Sequence, residues 1–376
     1  MTIPGPPHVR ALVVVAAEKA GGAERYLARL YAGLKQRGFV TSAIGRLPGW
    51  PDHLRRVDDS VRLGPKWSRR TLLPGLVRAR HEARRVEAVA RAIPHDLAHL
   101  QFKREQIAFT APLSALSPVV WTEHGVLSPT SPLRGLYARA ATHVSQVICV
   151  SDEVATSIAG LVPRDRIVVI ENGIDTGRYR PPSEEERTRA RADLGLPMGK
   201  KVILWAGRLD AGKRPELAAM YARRHRDQFL LIVGDGSERE RIKRKTSDLT
   251  NVLVVGHVDD MLPLFHAADA LMFTSTGKGE GMPTVIVEAS SAGLPVVTHR
   301  GSGAESFVTG AGGAVVSSPG DMDMWGVAFD APHLAAPEPR TSWVKAHDER
   351  QWLDQHQMVF EQLVRRPRPG SPAGTS

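Results

Sequence analysis

The chain has 376 residues, enough for two domains with a hydrophobic core in each. Apolar residues make up 42% of it and charged residues 24%, a composition typical of folded globular proteins, which excludes a wholly disordered or fibrous chain. The formal net charge is +10, and the excess lies in residues 1–180, which hold 26 Lys and Arg against 15 Asp and Glu.

Neither a membrane span nor an export signal is predicted. The longest stretch without a charge, residues 106–122, is interrupted by Pro112 and Pro118. Residues 1–17 lack a basic start followed by a long apolar core and a small-residue cleavage site. The single cysteine, Cys149, lies in an apolar run and cannot form an internal disulfide, which indicates a reducing compartment. We therefore expect a cytoplasmic protein.

The densest positive charge lies in residues 62–91, where nine basic residues are accompanied only by Glu82 and Glu87. Such a cluster can bind an anionic membrane surface, a phosphorylated acceptor or nucleic acid. A solvent-exposed helix face is the simpler explanation, because apolar residues recur there at spacings of three and four. The arginines lack interleaved aromatic side chains and a recognisable binding module, so nucleic acid is not expected as a partner. Peripheral contact with the inner face of the membrane is left open.

Short apolar runs alternate with helical patterns along the first half of the chain. Residues 9–16 are predicted to form a strand buried on both faces, followed by Gly21, Gly22 and a helix that ends near Gly38. Further strands are predicted at 97–102, 119–122, 146–150 and 167–170. The polar stretch 180–200 is predicted to be a linker with a short helix.

The second half repeats this alternation, with strands predicted at 202–206, 229–233, 252–255, 270–274, 295–298 and 314–316. Alternating strands and helices form parallel βαβ units with right-handed crossovers, and hence doubly wound sheets. We therefore expect an α/β protein of two Rossmann-like domains, residues 1–178 and 179–345, that face each other across a cleft. A helix at about 346–365 is predicted to pack back on the first domain, and residues 366–376 to be a disordered tail.

Two cations follow one of these strands. Ligands of doubly wound sheets bind beyond the carboxyl ends of the strands. Gly207 and Arg208 come directly after the strand 202–206, and Lys213 comes five residues later. A guanidinium and an ammonium group at one strand end can converge on a phosphate. Taken alone, they could also be two surface cations beside Asp210.

The most informative segment is 274–288, in which a strand ends, glycines follow and Pro283 suits the first turn of a helix. The free N–H groups of such a helix attract anions. Glu280 lies in the loop, and Glu288 lies on the helix face that Thr284 shares; both carboxylates can accept hydrogen bonds from sugar or ribose hydroxyls. A cap or a salt bridge would explain either glutamate alone, but the two cations on the same sheet edge favour a ligand site.

Together these motifs resemble those of the retaining GT-B glycosyltransferases of glycosyltransferase family 4. Glu280 and Glu288 match the E-x7-E signature of that family. Further matches, in chain order, are Gly21-Gly22-Ala23-Glu24-Arg25, Thr122-Glu123-His124-Gly125, Cys149-Val150-Ser151, Asn172-Gly173-Ile174-Asp175, Gly207-Arg208 with Lys213, Gly234-Asp235-Gly236 and Gly256. The resemblance covers about residues 9–316. The chain departs from the family at Gly301-Ser302-Gly303 and in the proline-rich region between Val316 and Trp343.

The resemblance implies a role for each matching residue. Arg208 and Lys213 would hold the donor diphosphate and neutralise the leaving group. Glu280 would bind the donor sugar, His124 would face it, and Glu288 would bind the ribose. Further donor-binding positions are Gly207, Gly256, Val258, Gly281, Met282, Pro283 and Thr284, and the acceptor or phosphate loop holds Gly21, Gly22 and Arg25. The family needs no metal and no dedicated general base, so we expect no cofactor besides the nucleotide-sugar co-substrate.

The sequence therefore predicts a metal-independent, retaining glycosyltransferase. It would move a hexosyl or N-acetylhexosaminyl group from a nucleotide sugar, UDP-linked by preference, to an acceptor hydroxyl. The acceptor is left open between a small-molecule natural product, a glycolipid or other lipid-linked molecule, and a polysaccharide precursor. A nucleotide-sugar 2-epimerase of the same fold is the alternative, and a nucleic-acid-binding protein is a remote one.

Two weaker motifs are predicted to be structural. Asp321 and Asp323 have the spacing of a metal-binding D-x-D motif but are expected in a solvent-exposed turn. Arg239 stands where a dinucleotide-binding fingerprint needs its third glycine. A dehydrogenase is therefore not expected.

Overall fold

The computed structural model describes residues 9–17, 21–47, 52, 54–63, 67, 70–335 and 338–365. The chain forms two compact units: an N-terminal unit of Met1–Glu171 with Trp352–Ser376, and a C-terminal unit of Asn172–Gln351. Asn172, the first residue of the C-terminal unit, binds Met282 of the same unit: its backbone N–H lies 2.9 Å from Sδ, and its side-chain N–H lies 3.2 Å from the carbonyl oxygen. The tail predicted at 366–376 lies outside the described residues.

The N-terminal unit is built on a parallel sheet of seven strands. Its strands are β1 (Val9–Ala16), β2 (Phe39–Arg46), β3 (Arg55–Asp58), β4 (Leu97–Leu100), β5 (Val119–Glu123), β6 (Gln146–Cys149) and β7 (Ile167–Val169). Its helices are α1 (Gly22–Gln36), α2 (Leu72–Arg91), α3 (Lys103–Ser114), α4 (Arg134–Ala141) and α5 (Asp152–Ile158), with a 3₁₀ turn at Arg164–Arg166. The strand order is β3-β2-β1-β4-β5-β6-β7. The first six positions reproduce the 3-2-1-4-5-6 order of a Rossmann-like sheet.

The C-terminal unit repeats this order with six parallel strands, β10-β9-β8-β11-β12-β13. Its strands are β8 (Val202–Ala206), β9 (Phe229–Val233), β10 (Val252–Gly256), β11 (Ala270–Met272), β12 (Val296–His299) and β13 (Ala314–Val316). Its helices are α6 (Glu184–Asp193), α7 (Pro215–Arg224), α8 (Arg239–Thr246), α9 (Leu262–Ala267), α10 (Thr284–Ser291), α11 (Glu305–Gly310), α12 (Met322–Phe329) and α13 (Glu338–Ala346), with a 3₁₀ turn at Pro332–Ala335. The last helix, α14 (Glu349–Arg365), belongs to the N-terminal unit from Trp352 onward.

Two strands were not predicted from the sequence, β2 and β3. The β2 segment mixes Thr41, Ser42 and Gly45 into its apolar residues, so it lacks the continuous run that marks a strand buried on both faces. Thr41 and Ser42 are nevertheless buried. The β3 segment is short, polar and largely exposed, as expected for a strand at the edge of a sheet.

The basic cluster lies mostly on α2. The residues that this helix buries are Gly75, Ala79, Glu82, Val86 and Ala90, and those that it exposes include Arg78, Arg80, Arg84, Arg85 and Arg91. The arginines thus point to solvent because the small and apolar residues cover the core. In the part of the chain that the structure describes, no helix is both long and apolar enough to cross a bilayer.

The prediction of a solvent-exposed turn at Asp321 was incomplete. Asp321 is the N-cap of α12, and its Oδ1 accepts hydrogen bonds from the backbone N–H groups of Asp323 and Met324, at 3.1 Å and 3.2 Å. A carboxylate in this position satisfies N–H groups that have no partner within the helix. The D-x-D spacing therefore reflects a helix cap.

Candidate active site

The two strongest motifs follow β8 and β11, which are neighbours in the C-terminal sheet. The strand order reverses at this pair, because the chain continues from β8 to β9 on one side and from β11 to β12 on the other. Ligands of doubly wound sheets bind at such a point, beyond the carboxyl ends of the strands. The fold therefore brings the segment after Ala206 and the segment after Met272 to one sheet edge.

Hydrogen bonds tie these two segments together. The indole N–H of Trp205 donates to Thr274 Oγ1 at 2.7 Å, and the Thr274 hydroxyl lies 2.7 Å from the Lys213 carbonyl oxygen, to which it donates. The backbone N–H of Thr276 donates to the carbonyl of Gly212 at 2.8 Å. Trp205 and Thr274 are buried, so these bonds are sheltered from water. The position of Lys213 is thus fixed from the neighbouring strand.

Lys213 and Glu280 form an ion pair at this edge. The Lys213 ammonium contacts Glu280 Oε1, and the Ser275 hydroxyl donates to the same oxygen at 2.6 Å. The two side chains are only 22% and 12% exposed. Removing either partner would leave a largely buried charge without its counter-ion, which is costly. The pair presents a cation for a phosphate next to a carboxylate that can accept hydroxyl hydrogen bonds.

Arg208 lies in the same turn but points outward. Its side chain is 78% exposed, and its Nη2 lies 3.1 Å from Asp210 Oδ2. The other oxygen of Asp210 accepts the backbone N–H of Lys213 at 3.1 Å. The Asp210 carboxylate thus holds the turn that carries both predicted phosphate ligands. The side chain of Arg208 pairs with Asp210, whereas that of Lys213 pairs with Glu280.

The residue after Lys213 is strained. Arg214 has φ 49° and ψ 52°, the left-handed region that side chains other than glycine rarely adopt. It precedes Pro215, the first residue of α7, and a following proline disfavours the right-handed helical conformation. The Thr274 hydroxyl lies near the carbonyl oxygens of both Lys213 and Arg214, which holds this conformation in place. Strain of this kind is typical of functional sites.

The segment Gly301-Ser302-Gly303, which departs from the family pattern, packs closely against the loop after β11. A Cβ atom at Gly277 would lie 2.8 Å from the Gly301 carbonyl oxygen, and one at Gly303 would lie 2.9 Å from the Gly277 Cα. Both glycines also have positive φ angles, 74° and 71°. Two backbones therefore meet where side chains would keep them apart. Glu305 supports this turn, because its carboxylate accepts the backbone N–H of Gly301 and of Ala304, at 2.5 Å and 2.9 Å.

The helix α10 carries the second glutamate of the E-x7-E motif. Pro283 is the residue before this helix rather than part of its first turn, and no side chain of the described residues caps the helix there. Its first N–H groups therefore point toward the loop of Glu280. Thr284 and Glu288 are half-buried and lie one turn apart on the same face. The predicted donor positions Gly281, Met282 and Pro283 are buried just before them.

The predicted donor-binding positions Gly207, Gly256 and Val258 lie along the same edge. The backbone N–H of Gly207 donates to the carbonyl of Val233 at 3.0 Å, and that of Gly234 donates to the carbonyl of Gly256 at 2.7 Å. A Cβ atom at Gly234 would lie 1.8 Å from the Gly207 carbonyl oxygen. The turns after β8, β9 and β10 are therefore packed backbone on backbone. Val258 follows Gly256 and is half-buried.

His124 lies in the N-terminal unit, directly after β5. Its Nε2 is 3.2 Å from Gln101 Oε1, and its neighbour Glu123 is buried in contact with the Lys103 ammonium and the Tyr137 hydroxyl. His124 is half-buried, and the loss of hydration together with the charge of Lys103 lowers its pKa to about 3. The imidazole is therefore neutral near pH 7, when it can form hydrogen bonds but carries no charge.

The glycine loop of the N-terminal unit precedes α1. Gly21 is the N-cap of this helix, and a Cβ atom there would lie 2.9 Å from the Glu24 carboxylate. Nothing lies within 4 Å of a Cβ atom at Gly22, and Arg25 is exposed. Gly22 and Arg25 are thus exposed to solvent, whereas Gly21 is half-buried beside the Glu24 carboxylate.

Comparison with protein families decides the class of this protein. Residues 200–329 match the family described as glycosyl transferases group 1, and residues 20–178 match glycosyltransferase family 4. The chain belongs to the group 1 glycosyltransferases. One relative is the lipopolysaccharide core biosynthesis glycosyltransferase LpsE of Rhizobium meliloti, 24% identical over 83% of this chain and 85% of LpsE. Another is the D-inositol 3-phosphate glycosyltransferase of Mycobacterium tuberculosis, 27% identical over 65% of this chain and 55% of that protein.

Solved structures confirm the predicted GT-B fold of this glycosyltransferase. HepE of Anabaena, crystallised in complex with UDP, superposes with a TM-score of 0.78 and 20% identity over 94% of this chain and 100% of HepE. The sucrose-phosphate synthase of Thermosynechococcus elongatus superposes with a TM-score of 0.77 and 20% identity over 94% of this chain and 99% of that enzyme. Each of the two Rossmann-like sheets predicted from the sequence is therefore present.

The structure places the predicted residues in two sets. Arg208, Lys213, Glu280 and Glu288 lie with the glycine turns of the C-terminal unit, and His124 lies with the glycine loop in the N-terminal unit. Within the described residues, no three His, Cys, Asp or Glu side chains lie close enough to hold a metal ion. Metal independence of the glycosyltransferase stays a prediction.

Four residues were not predicted from the sequence: Tyr26, Gln101 and Ser275, which contact residues of the site, and the buried Glu105. Gln101 and Ser275 follow β4 and β11 closely, so inspection of every strand end would have found them. Glu105 is buried on α3, accepts the backbone N–H of Ala16 at 3.0 Å, and burial raises its pKa to about 7. Neither Glu105 nor Tyr26 carries a signal in the sequence, because their roles depend on contacts across the fold.

Proposed function

We propose that this group 1 glycosyltransferase moves a hexosyl or N-acetylhexosaminyl group from a UDP-sugar to an acceptor hydroxyl, with retention of the anomeric configuration and without a metal ion. The observation that carries the proposal is the Lys213–Glu280 ion pair at the point where the strand order of the C-terminal sheet reverses. Arg208 lies in the same turn. HepE, which shares the fold, binds UDP, and this favours uridine over guanosine.

Positive charge at this edge of the C-terminal sheet stabilises the diphosphate leaving group. As the bond between the anomeric carbon and the phosphate oxygen breaks, negative charge grows on the diphosphate. Lys213, Arg208 and the N–H groups at the start of α10 stabilise that charge. The acceptor oxygen then bonds to the anomeric carbon on the face that the diphosphate leaves, and its proton passes to the departing phosphate oxygen. Glu280 accepts hydrogen bonds from the donor sugar, and Glu288 accepts them from the ribose.

The experiment is a transfer assay followed by ¹H NMR spectroscopy, with UDP-linked and GDP-linked sugars and a panel of acceptors. The coupling constant of the new anomeric proton reports retention or inversion. We expect Lys213→Ala to lower kcat by a factor on the order of 100, the scale for losing one preorganised electrostatic contact.

Lys201→Ala is the matched control, because Lys201 directly precedes β8, at the end of that strand opposite Arg208 and Lys213, and its ammonium pairs with Asp330 Oδ1 at 2.6 Å. Equal turnover of the wild type and folded Lys213→Ala would contradict the assignment. A sugar epimerised at C2 without any acceptor would establish the 2-epimerase instead.

We further propose that the acceptor is lipid-linked and that the N-terminal unit meets an anionic membrane through α2. Leu73 and Val77 are 77% and 72% exposed on this helix. Arg80 and Arg84 follow at helical spacing on the same exposed face. Two apolar side chains beside arginines suit the boundary between headgroups and acyl chains. The relative LpsE, named for lipopolysaccharide core biosynthesis, supports a lipid-linked acceptor.

Sedimentation with vesicles tests this contact. We expect binding to vesicles that contain phosphatidylglycerol and little binding to pure phosphatidylcholine. Arg80→Glu with Arg84→Glu should weaken binding by a factor on the order of 10 or more, at roughly 1 kcal/mol per charge near the surface. Val327→Ser is the control, because Val327 is an equally exposed apolar residue, 74% exposed, in the C-terminal unit. Equal binding of all variants would refute the contact.

A further inference from the structure

A buried network connects the last helix to His124. The Tyr26 hydroxyl lies 2.6 Å from His356 Nε2, and the Tyr26 ring meets the rings of Trp352 and His124 edge-on, with centroids 5.0 Å and 4.7 Å away. Tyr26, Trp352 and His356 are buried. Tyr26 thus stands between α14 and the imidazole that follows β5.

The direction of each hydrogen bond at His356 follows from its partners. His356 Nδ1 lies 2.7 Å from the carbonyl oxygen of Trp352, which can only accept. Nδ1 therefore carries the proton, and Nε2 accepts the proton of the Tyr26 hydroxyl. Burial lowers the pKa of His356 to about 4, so the ring is neutral near pH 7. The Tyr26 ring is therefore fixed by a hydrogen bond at its hydroxyl and by the Trp352 ring at its edge.

The same reasoning determines the tautomer of His124. The side-chain N–H of Gln101 donates to the carbonyl oxygen of Ala23 at 3.2 Å, and this fixes the direction of the amide group. Gln101 Oε1 then faces His124 Nε2 at 3.2 Å. Because an amide oxygen can only accept, Nε2 of His124 must carry the proton. Nδ1 is left with its lone pair and acts as a hydrogen-bond acceptor.

We infer that Tyr26 and Gln101 are positioning residues that hold His124 in one orientation and one tautomer, and that α14 serves the site by fixing Tyr26. His124 then offers a neutral acceptor nitrogen to its ligand. Such a nitrogen recognises a hydroxyl group, which can donate, and rejects a carboxylate, which cannot. The inference rests on the proposed function in that the ligand is the donor sugar, so sugars with free hydroxyls are preferred over uronic acids at this contact.

The tautomer can be measured without any substrate. In the ¹⁵N-labelled wild type at pH 7.5, we expect the His124 signals of a neutral ring protonated at Nε2, identified by their loss in His124→Gln. Gln101→Leu removes the acceptor and should give a mixture of both tautomers. A wild-type ring protonated at Nδ1, or at both nitrogens, would overturn the inference.

Two tyrosine variants test the positioning role. Tyr26→Phe keeps the ring but removes the hydrogen bond to His356, and we expect kcat to fall by about ten-fold, since small displacements at a site reduce turnover strongly. Tyr31→Phe is the matched control. The Tyr31 hydroxyl lies on the same helix, is equally buried and bonds to His99 Nδ1 at 2.9 Å instead. We expect this control to keep kcat within about two-fold of the wild type, on the same small-displacement argument.

The two tyrosine variants should lose a similar amount of thermal stability, because each gives up one hydroxyl bond to a buried histidine. Equal kcat values in the two variants would mean that Tyr26 is merely structural, and would overturn the inference. If the wild type transfers no sugar, the proposed function fails, whereas the tautomer measurement still decides the positioning of His124.

Discussion

Acidification from pH 7.5 to pH 5 should destabilise the N-terminal unit by about 4 kcal/mol, a large part of the stability of an ordinary domain. Three histidines cause this loss: His99 and His356, which are buried, and His124, which is half-buried. Burial is the main cause that lowers their pKa values, to about 3, 3 and 4 respectively, from an ordinary value of 6.5. They therefore remain neutral in the folded unit at pH 5, whereas the same histidines bind protons in the unfolded chain.

The magnitude follows from linkage between proton binding and folding. In the unfolded chain the pKa of histidine is 6.5, so pH 5 lies 1.5 units below it. Each of these pH units lowers the free energy of unfolding by about 1.4 kcal/mol per histidine. Each histidine thus costs about 2 kcal/mol and the three cost about 6 kcal/mol. Glu105 acts in the opposite direction, because burial raises its pKa from 4.5 to about 7. Because Glu105 takes up a proton in the folded state between pH 7.5 and pH 5, it stabilises the unit by about 2 kcal/mol over this range. The net loss of stability is therefore about 4 kcal/mol.

Amide hydrogen exchange, resolved by mass spectrometry over peptides from β1, β4 and β5, measures the opening free energy of this unit at each pH after correction for intrinsic rates. His356→Gln should reduce the difference between the two pH values by about 2 kcal/mol, because one buried histidine is removed. His257→Gln should leave it unchanged, since the His257 side chain is 65% exposed. Equal opening free energies of the wild type at pH 5 and pH 7.5 would refute the assignment of three histidines that stay neutral in the folded unit.

Three further predictions concern single residues. Gly234→Ala should lower the stability of the C-terminal unit by about 2 kcal/mol or more in thermal unfolding, because the new Cβ atom would clash with the backbone of Gly207. Gly199→Ala is the control and should change the stability little, because the space around Gly199 is open. Thr274→Val removes the hydroxyl that receives the Trp205 N–H, so calorimetry should show a loss of about 1–3 kcal/mol and titration a weaker affinity for UDP. Glu105→Gln should raise stability against urea by about 3 kcal/mol at pH 8.5, where the wild type must ionise a buried carboxyl group, and by much less at pH 5.

Much of the fold could be predicted because buried parallel strands are continuous apolar runs. The predicted bounds of β1, β8, β9 and β13 agree with the structure at both ends. The strand β2 could not be predicted this way, since its buried Thr41 and Ser42 disguise it, and the pattern of β3 is that of a polar loop.

The site was predictable to the extent that its residues follow strands. Arg208, Lys213 and Glu280 could be placed on one sheet edge from their order in the sequence. The sequence does not reveal that Lys213 pairs with Glu280 while Arg208 lies beside Asp210, because side-chain partners depend on the geometry of the turns.

The network around His124 was beyond sequence reasoning for a different reason. Tyr26 and His356 lie 330 positions apart in the chain, and their hydrogen bond forms only once α14 packs on the N-terminal unit. The sequence predicted that the last helix packs back on the first domain, and the structure shows that it buries Trp352 and His356 there. The sequence could not indicate that this helix reaches a histidine of the site.

Isothermal titration of UDP into the wild type, Lys213→Ala and Lys201→Ala tests the central claim most directly. If the diphosphate is bound at the edge where Lys213 pairs with Glu280, the wild type and Lys201→Ala bind UDP alike. Lys213→Ala should then bind it at least ten-fold more weakly, as expected for the loss of one charge-assisted contact of roughly 1.5–3 kcal/mol. Equal affinity of Lys213→Ala and the wild type, with both proteins folded, would contradict the account.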